Sequence, residues 1–294
     1  MVSKLDLIHK EQSPIRVLHH WACSGGTIIS RSIATQPNVV LLSEVHPLAY
    51  LRLKEPDTNY SPTDIIQQLS LQQNGRDPSL CIAAWQGSIL NLNATLTEQN
   101  RPLILRSHSH IDFFSGGIAS RVPMISRSLK SHAPLLELLS VRHPLDSWLS
   151  LLQKGWNQHF HTKELEIFCG RALSMLKGCE GMNWIRYEEF TLKPDEFLKE
   201  INEFLQLRGE ESHTQNLKNI KLSGDSGRSS DVVGMRPRQP IPNKELIEID
   251  QALNAGKNSN YLRLCNQLGY APEPNGVHPF LSSSWPLQSN HIHL

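Results

Sequence analysis

Backbone amides hold an anion only where the chain can come close to it, and Ser24-Gly25-Gly26-Thr27 has the residue types for that approach. The glycine pair follows a short apolar, β-branched run over 15–22 (IRVLHHWA) and precedes a helix-compatible stretch, ISRSIATQ, that stops before Pro37. Strand, glycine loop and helix in that order aim N–H groups and the positive end of a helix dipole at a phosphate. A tight strand-to-helix turn with no ligand is the alternative reading of the same glycines. A nucleoside-triphosphate loop would read GxxxxGK[ST], with a lysine for the β- and γ-phosphates. Here Gly26 is followed directly by Thr27, which counts against ATP and GTP.

A second anion-binding pair lies further on. Arg142 ends an apolar run, and Ser150 follows eight positions later inside a helical pattern. A guanidinium fork and a serine hydroxyl together suit a terminal phosphate, the first through bidentate charge-assisted bonds and the second as a directional donor. Asp146, between them, fits the first turn of a helix, where it complements the dipole. An ion pair between Arg142 and Asp146 on the surface is the alternative. Among fourteen histidines, His108 and His110 close the run PLILRS, and an imidazole there suits proton abstraction at neutral pH. If the strand continues, His110 points to the opposite side from His108. His19 and His20 end the first run and read as structural or as part of a nucleotide pocket. His291 and His293 alternate near the end of the chain, but two ligands make no site, and no metal is expected. Cys23, beside a helix N-terminus, has the position of a nucleophile, although a small residue that fits the loop is the commoner case.

Short apolar runs at 38–43, 102–107, 134–141 and 182–187 join the one at 15–22 as candidate strands. Helical patterns lie between them. Residues 62–98 are helix-prone with breaks near Asn74-Gly75 and Asp77-Pro78. Leu145, Trp148, Leu149 and Leu152 form one face of a helix that starts at Pro144, and 163–178 and 197–205 repeat the pattern. Alternating strands and helices predict an α/β fold, a parallel central sheet flanked by helices, whose ligands sit at the carboxyl ends of the strands. Glu44 to Pro47 read as the start of a loop and 115–120 as a Gly/Ser-rich rim, while Trp85, Phe113 and Phe114 offer apolar walls for an acceptor. Residues 1–270 read as one domain and 271–294, rich in Pro, Ser and His, as an irregular tail.

Composition narrows the class further. Over 294 residues, Lys plus Arg number 29 and Asp plus Glu 28, a net charge of +1 that argues for neither nucleic acid nor a membrane surface as partner. The five scattered cysteines match no disulfide framework and no zinc pattern. With neither a secretory signal nor eighteen successive apolar residues in view, a cytoplasmic protein with no stable membrane insertion is expected.

Taken in order, HHWACSGGTIISRSI, LILRSHSH, LLSVRHPLDSWLSL, WIRYEEF and LSGDSGR resemble the PAPS-dependent sulfotransferases, a P-loop-type α/β family without the ATPase lysine signature. The resemblance spans 15 to about 230. It implies 3′-phosphoadenosine 5′-phosphosulfate as co-substrate and a small-molecule or carbohydrate acceptor, and a 5′-phosphosulfate loop over Cys23, Ser24, Gly25, Gly26, Thr27 and Ile28. It places the 3′-phosphate on Arg142 and Ser150, the catalytic base on His108 with Arg106 beside it, and the adenine near Tyr187. Ser223, Gly224, Gly227 and Arg228 would form the closing C-terminal loop. One departure stands out: the family carries Lys or Arg where this chain has Cys23, so charge developing on the bridging oxygen needs another donor, with Arg31, Arg106 and Arg228 as candidates. The alternatives are a P-loop kinase of a small metabolite and a non-catalytic nucleotide-binding protein of the same fold.

Overall fold

The computed structural model describes residues 13–49, 65–66, 69, 77–115, 121–158, 164–209, 217, 219–220, 222, 232–235 and 237–274. Five strands, β1 (Ile15–His20), β2 (Val40–Val45), β3 (Leu103–Ser107), β4 (Leu135–Val141) and β5 (Asn183–Arg186), form one sheet in the order β2-β3-β1-β4-β5. Each adjacent pair is parallel. Parallel pairing hides both faces of a strand under helices, which is why β1 is buried at every position, Arg16, His19 and His20 included.

The two faces sort by the period of the strands. Leu18, Ile104, Leu138 and Ile185 pack with Ile29 and Ile33 of α1 (Gly26–Ala34). The same layer takes Leu198 and Ile201 of a later helix, Pro194–Phe204. Ile15, Val17, Leu103 and Leu105 pack against Trp85 and Ile89 of α2 (Pro78–Glu98). Between α2 and β4 come the short α3 (His110–Phe113) and α4 (Met124–Leu129), and Ile125 and Leu129 of α4 join that second face. Trp21 and the indole of Trp148 in α5 (Pro144–Gln153) sit in a third cluster with Phe168 of α6 (Leu165–Gly178). α7 (Tyr187–Leu192) and α8 (Pro194–Phe204) follow β5, and α9 (Asn243–Ala255) and α10 (Asn260–Leu268) complete the described helices.

Local chemistry fixes the helix starts. Asp77 caps α2 by accepting from Ser79 N at 2.8 Å, and Pro144 opens α5 with the His143 imidazole accepting from Leu145 N at 3.2 Å. The chain beyond α10 is anchored, with the carbonyls of Ala271, Pro272 and Pro274 accepting from His143, Tyr261 and Arg238. Among the described residues no helix is long and apolar enough to cross a membrane.

Two expectations change here. Glu44 does not begin a loop: β2 runs through Val45, and its register against β3 slips between Leu42 and Val45. Leu42 pairs Leu105 and Val45 pairs Ser107, so β2 carries one residue more than β3 over this step, a bulge with Glu44 in the left-handed region at φ 58. Phe113 and Phe114 are not acceptor walls either, because both are buried in the Trp148 cluster, at 0% and 1% exposure. Trp85, 8% exposed, belongs to the α2 face.

Candidate functional site

β1 is the centre of the sheet, and the order reverses around it, β3 on one side and β4 on the other. The loop after β1 therefore opens at the switch point where α/β sheets take ligands. Ser24 fastens this loop: its hydroxyl donates to Trp21 O at 2.9 Å and Ser140 O at 3.1 Å, and Ser140 Oγ returns a bond to Ser24 O at 2.7 Å. Gly25 has φ 88, and a Cβ there would run into the Tyr187 ring. A Cβ on Gly26 would lie 2.5 Å from His20 Cγ. Both glycines are thus demanded by side chains pressed against the loop as well as by any anion. The first α-helical bond of α1 is Ile29 N to Gly25 O at 3.1 Å, so the preceding amides face out of the helix end. No side chain caps that end and no acidic residue lies in its first turn, which leaves the dipole for an external anion.

Arg142 stands at one flank of the loop. Its Nη1 donates to Cys23 O at 3.1 Å, and its guanidinium lies 4.6 Å from the centroid of the Tyr187 ring. Its buried Nε has no hydrogen-bond partner among the described residues. Tyr187, at the start of α7, therefore lies against both Gly25 and Arg142. Ser150 lies buried in α5, two turns beyond Arg142. Asp146 is not the partner of Arg142: it takes Arg238 through Oδ1 at 2.9 Å and Oδ2 at 3.3 Å. Burial works against the Asp146 carboxylate, but the Arg238 hydrogen bonds and charge prevail and hold its pKa below the ordinary value.

A polar cluster occupies the other flank, where β1, β2 and β3 end. Arg106 is buried and donates to four groups: Nε to His20 Nε2 at 3.1 Å, Nη1 to Ser43 Oγ at 3.0 Å, and Nη2 to Thr27 Oγ1 at 3.0 Å and Glu44 Oε1 at 2.7 Å. His20 Nδ1 donates to Trp21 O at 3.1 Å, the tautomer that leaves Nε2 to accept from Arg106. Burial, with the Arg106 charge second, pushes the His20 pKa down. Glu44 also accepts a close hydrogen bond from His108 Nδ1. Burial alone would raise the Glu44 pKa, yet the hydrogen bond from His108, the neighbouring His20 and the charge of Arg106 carry it far below the usual carboxylate range. His108 keeps 17% of its side chain exposed, against 12% for Glu44, 4% for His20 and 3% for Arg106, so it is the most open of these four.

His110 departs from the alternation expected of a strand. β3 stops at Ser107, α3 begins at His110, and the turn brings the two imidazoles together with centroids 3.5 Å apart. Burial, then the neighbouring His108, lowers the His110 pKa well below its usual value. His19, one residue before His20, points to the other face and bonds Glu137 Oε1 at 3.0 Å, a structural contact beneath α4.

The fold thus gathers Arg142 and Tyr187 at one flank of the Cys23–Ile28 loop and Arg106 and His108 at the other, with Arg106 reaching Thr27 of the loop. Ser223, Gly224, Gly227 and Arg228 lie outside the described residues. Of the donors considered in place of the basic residue missing at Cys23, Arg31 gives Nη2 to Leu217 O at 2.5 Å, whereas Arg106 reaches Thr27. Sequence reasoning missed Glu44. Its only signal was its position, an acidic residue at the carboxyl end of an apolar run.

No family model matches this chain, and no curated protein matches it. Among solved structures it is similar to sulfotransferases. The sulfotransferase domain from the Synechococcus PCC 7002 olefin synthase is 19% identical, with 90% of this chain and 97% of that chain covered and a TM-score of 0.49. For the sulfotransferase domain from the curacin biosynthetic pathway the figures are 17%, 89%, 99% and 0.49. Mouse sulfotransferase SULT7A1, solved with PAP, is 13% identical over 89% of this chain and 91% of its own, with a TM-score of 0.42. Residue roles do not transfer at such identities.

Proposed function

We propose that this chain transfers a sulfuryl group from 3′-phosphoadenosine 5′-phosphosulfate to a hydroxyl or amine acceptor. The observation that supports it is a glycine loop with a guanidinium at each flank: Arg142 Nη1 is 3.1 Å from Cys23 O, and Arg106 Nη2 is 3.0 Å from Thr27 Oγ1. A nucleotide phosphorylated at both the 5′ and 3′ positions needs such a two-ended cation set.

In this reading the outward amides of 25–28 and the Thr27 hydroxyl hold the 5′-phosphate, and Arg142 with Ser150 holds the 3′-phosphate. Glu44, bonded to His108 Nδ1, fixes the ring and leaves Nε2 to take the acceptor proton. The acceptor oxygen or nitrogen forms its bond to sulfur as the bond from sulfur to the bridging oxygen breaks, and 3′-phosphoadenosine 5′-phosphate leaves. Arg106 beside Thr27 stabilises the charge that gathers on that leaving oxygen, the task left open by Cys23.

Calorimetry tests the nucleotide half. The desulfated nucleotide should bind in preference to ATP-magnesium, and Arg142→Ala should weaken it about 10- to 100-fold, as expected for hydrogen bonds to a charged group. A preference for ATP-magnesium would instead favour the kinase. Turnover with a panel of phenols, alcohols, sugars and amines tests the chemistry: His108→Ala should lower it by about 10²–10⁴ while nucleotide affinity holds. Unchanged turnover removes the base, and no turnover with any acceptor leaves a nucleotide-binding protein.

A further inference from the structure

Glu44, His108 and His110 form a donor set that the proposed transfer uses only in part. The centroids of the two imidazoles lie 3.5 Å apart at an interplanar angle of 61°. A carboxylate oxygen of Glu44 and one ring nitrogen from each histidine all lie within 4.8 Å of one another. A tetrahedral ion with bonds of about 2.1 Å holds its ligand atoms roughly 3.4 Å apart.

The backbone fixes each donor from a different element. Glu44 sits on the left-handed bulge of β2, the His108 amide donates to Val45 O at 3.0 Å, and His110 opens α3. An outer shell is also in place: Arg106 holds the carboxylate at 2.7 Å and is itself held by Ser43, His20 and Thr27. Ligating carboxylates are oriented by partners of this kind, and the Arg106 charge moderates the affinity. All three ligands are partly exposed, so an ion can enter.

We propose that Glu44, His108 and His110 bind a divalent transition ion of the zinc class, with two imidazoles, one carboxylate and water at the remaining position. Two nitrogen donors disfavour magnesium and calcium, which take all-oxygen sets. Ion and substrate proton then compete for one imidazole. This consequence, unlike the site itself, rests on His108 as the base, and it makes zinc an inhibitor of the transfer.

The test uses the full chain carrying His291→Ala and His293→Ala, which removes the alternating pair near its end. Titration with zinc chloride, by calorimetry and against a chromophoric chelator, should show one equivalent bound, with no comparable uptake of magnesium. His110→Ala should lower zinc affinity by roughly 100-fold or more and leave affinity for the desulfated nucleotide within about twofold. Glu44→Gln should lower zinc affinity similarly and carries the test if His110→Ala melts early. No zinc uptake, or uptake that neither substitution weakens, overturns the site. Zinc that binds as expected yet leaves turnover intact upholds the site and counts against His108 as the base.

Discussion

Glu44 links the two ends of the polar cluster, since it meets both Arg106, which reaches Thr27 of the glycine loop from β3, and His108. Glu44→Gln preserves size and removes the charge, so turnover should fall at least about tenfold while affinity for the desulfated nucleotide changes little. Loss of nucleotide binding instead would make Glu44 a structural partner of Arg106. Cys23 offers a second probe. Cys81, Cys169, Cys179 and Cys265 are all buried, and burial pushes each thiol up, that of Cys265 to about 12. Iodoacetamide on the native protein should therefore label Cys23 first, and the desulfated nucleotide should slow that labelling. Peptide mass spectrometry reads both outcomes, and equal labelling with and without nucleotide would separate Cys23 from the nucleotide site.

The strand-to-helix turn between β1 and α1 is the element on which the rest is built. Its geometry is over-determined: Gly25 at φ 88 faces the Tyr187 ring, and Gly26 faces His20. Gly25→Ala should cost at least about 1–2 kcal/mol from the left-handed backbone alone, with the Tyr187 collision added. Thermal melts of Gly25→Ala, Tyr187→Ala and the double variant separate the two terms. In the Tyr187→Ala background the alanine should cost less, because only the backbone strain remains. Strict additivity would mean that the ring yields without cost. The bulge in β2 is the same kind of device, spending one unpaired residue to aim Glu44 at the ends of β1 and β3.

At the scale of the whole molecule, the segment after β5 is tied back to the site through Asp146. Arg238 bonds that carboxylate with two nitrogens and Pro274 O with a third, linking α5 to the chain beyond α10. Because the Asp146 pKa is lowered on folding, its contribution to stability is fully present above the unfolded value of about 3.9 and fades as pH falls through the folded one. Melting temperatures between about pH 3 and 6 should drop toward the acid end, and Asp146→Asn should melt lower at pH 6 and lose less on acidification. Parallel pH curves for the two proteins would show that Asp146 titrates alike in both states.

The sequence by itself determined what short-range chemistry can encode. Apolar runs marked the strands to within a few residues, Pro144 started α5, and the glycine pair marked the turn, because strand burial, helix capping and tight turns depend on neighbours in the chain. Contacts between segments were beyond it. Only the order β2-β3-β1 brings Arg106 to Thr27 and Glu44 to His108, and only the end of β3 at Ser107 turns His110 back beside His108. Asp146 chose Arg238, 92 residues away, over the neighbouring Arg142. Such pairings are fixed by strand register and by which helix lies over which face, and local residue order carries neither.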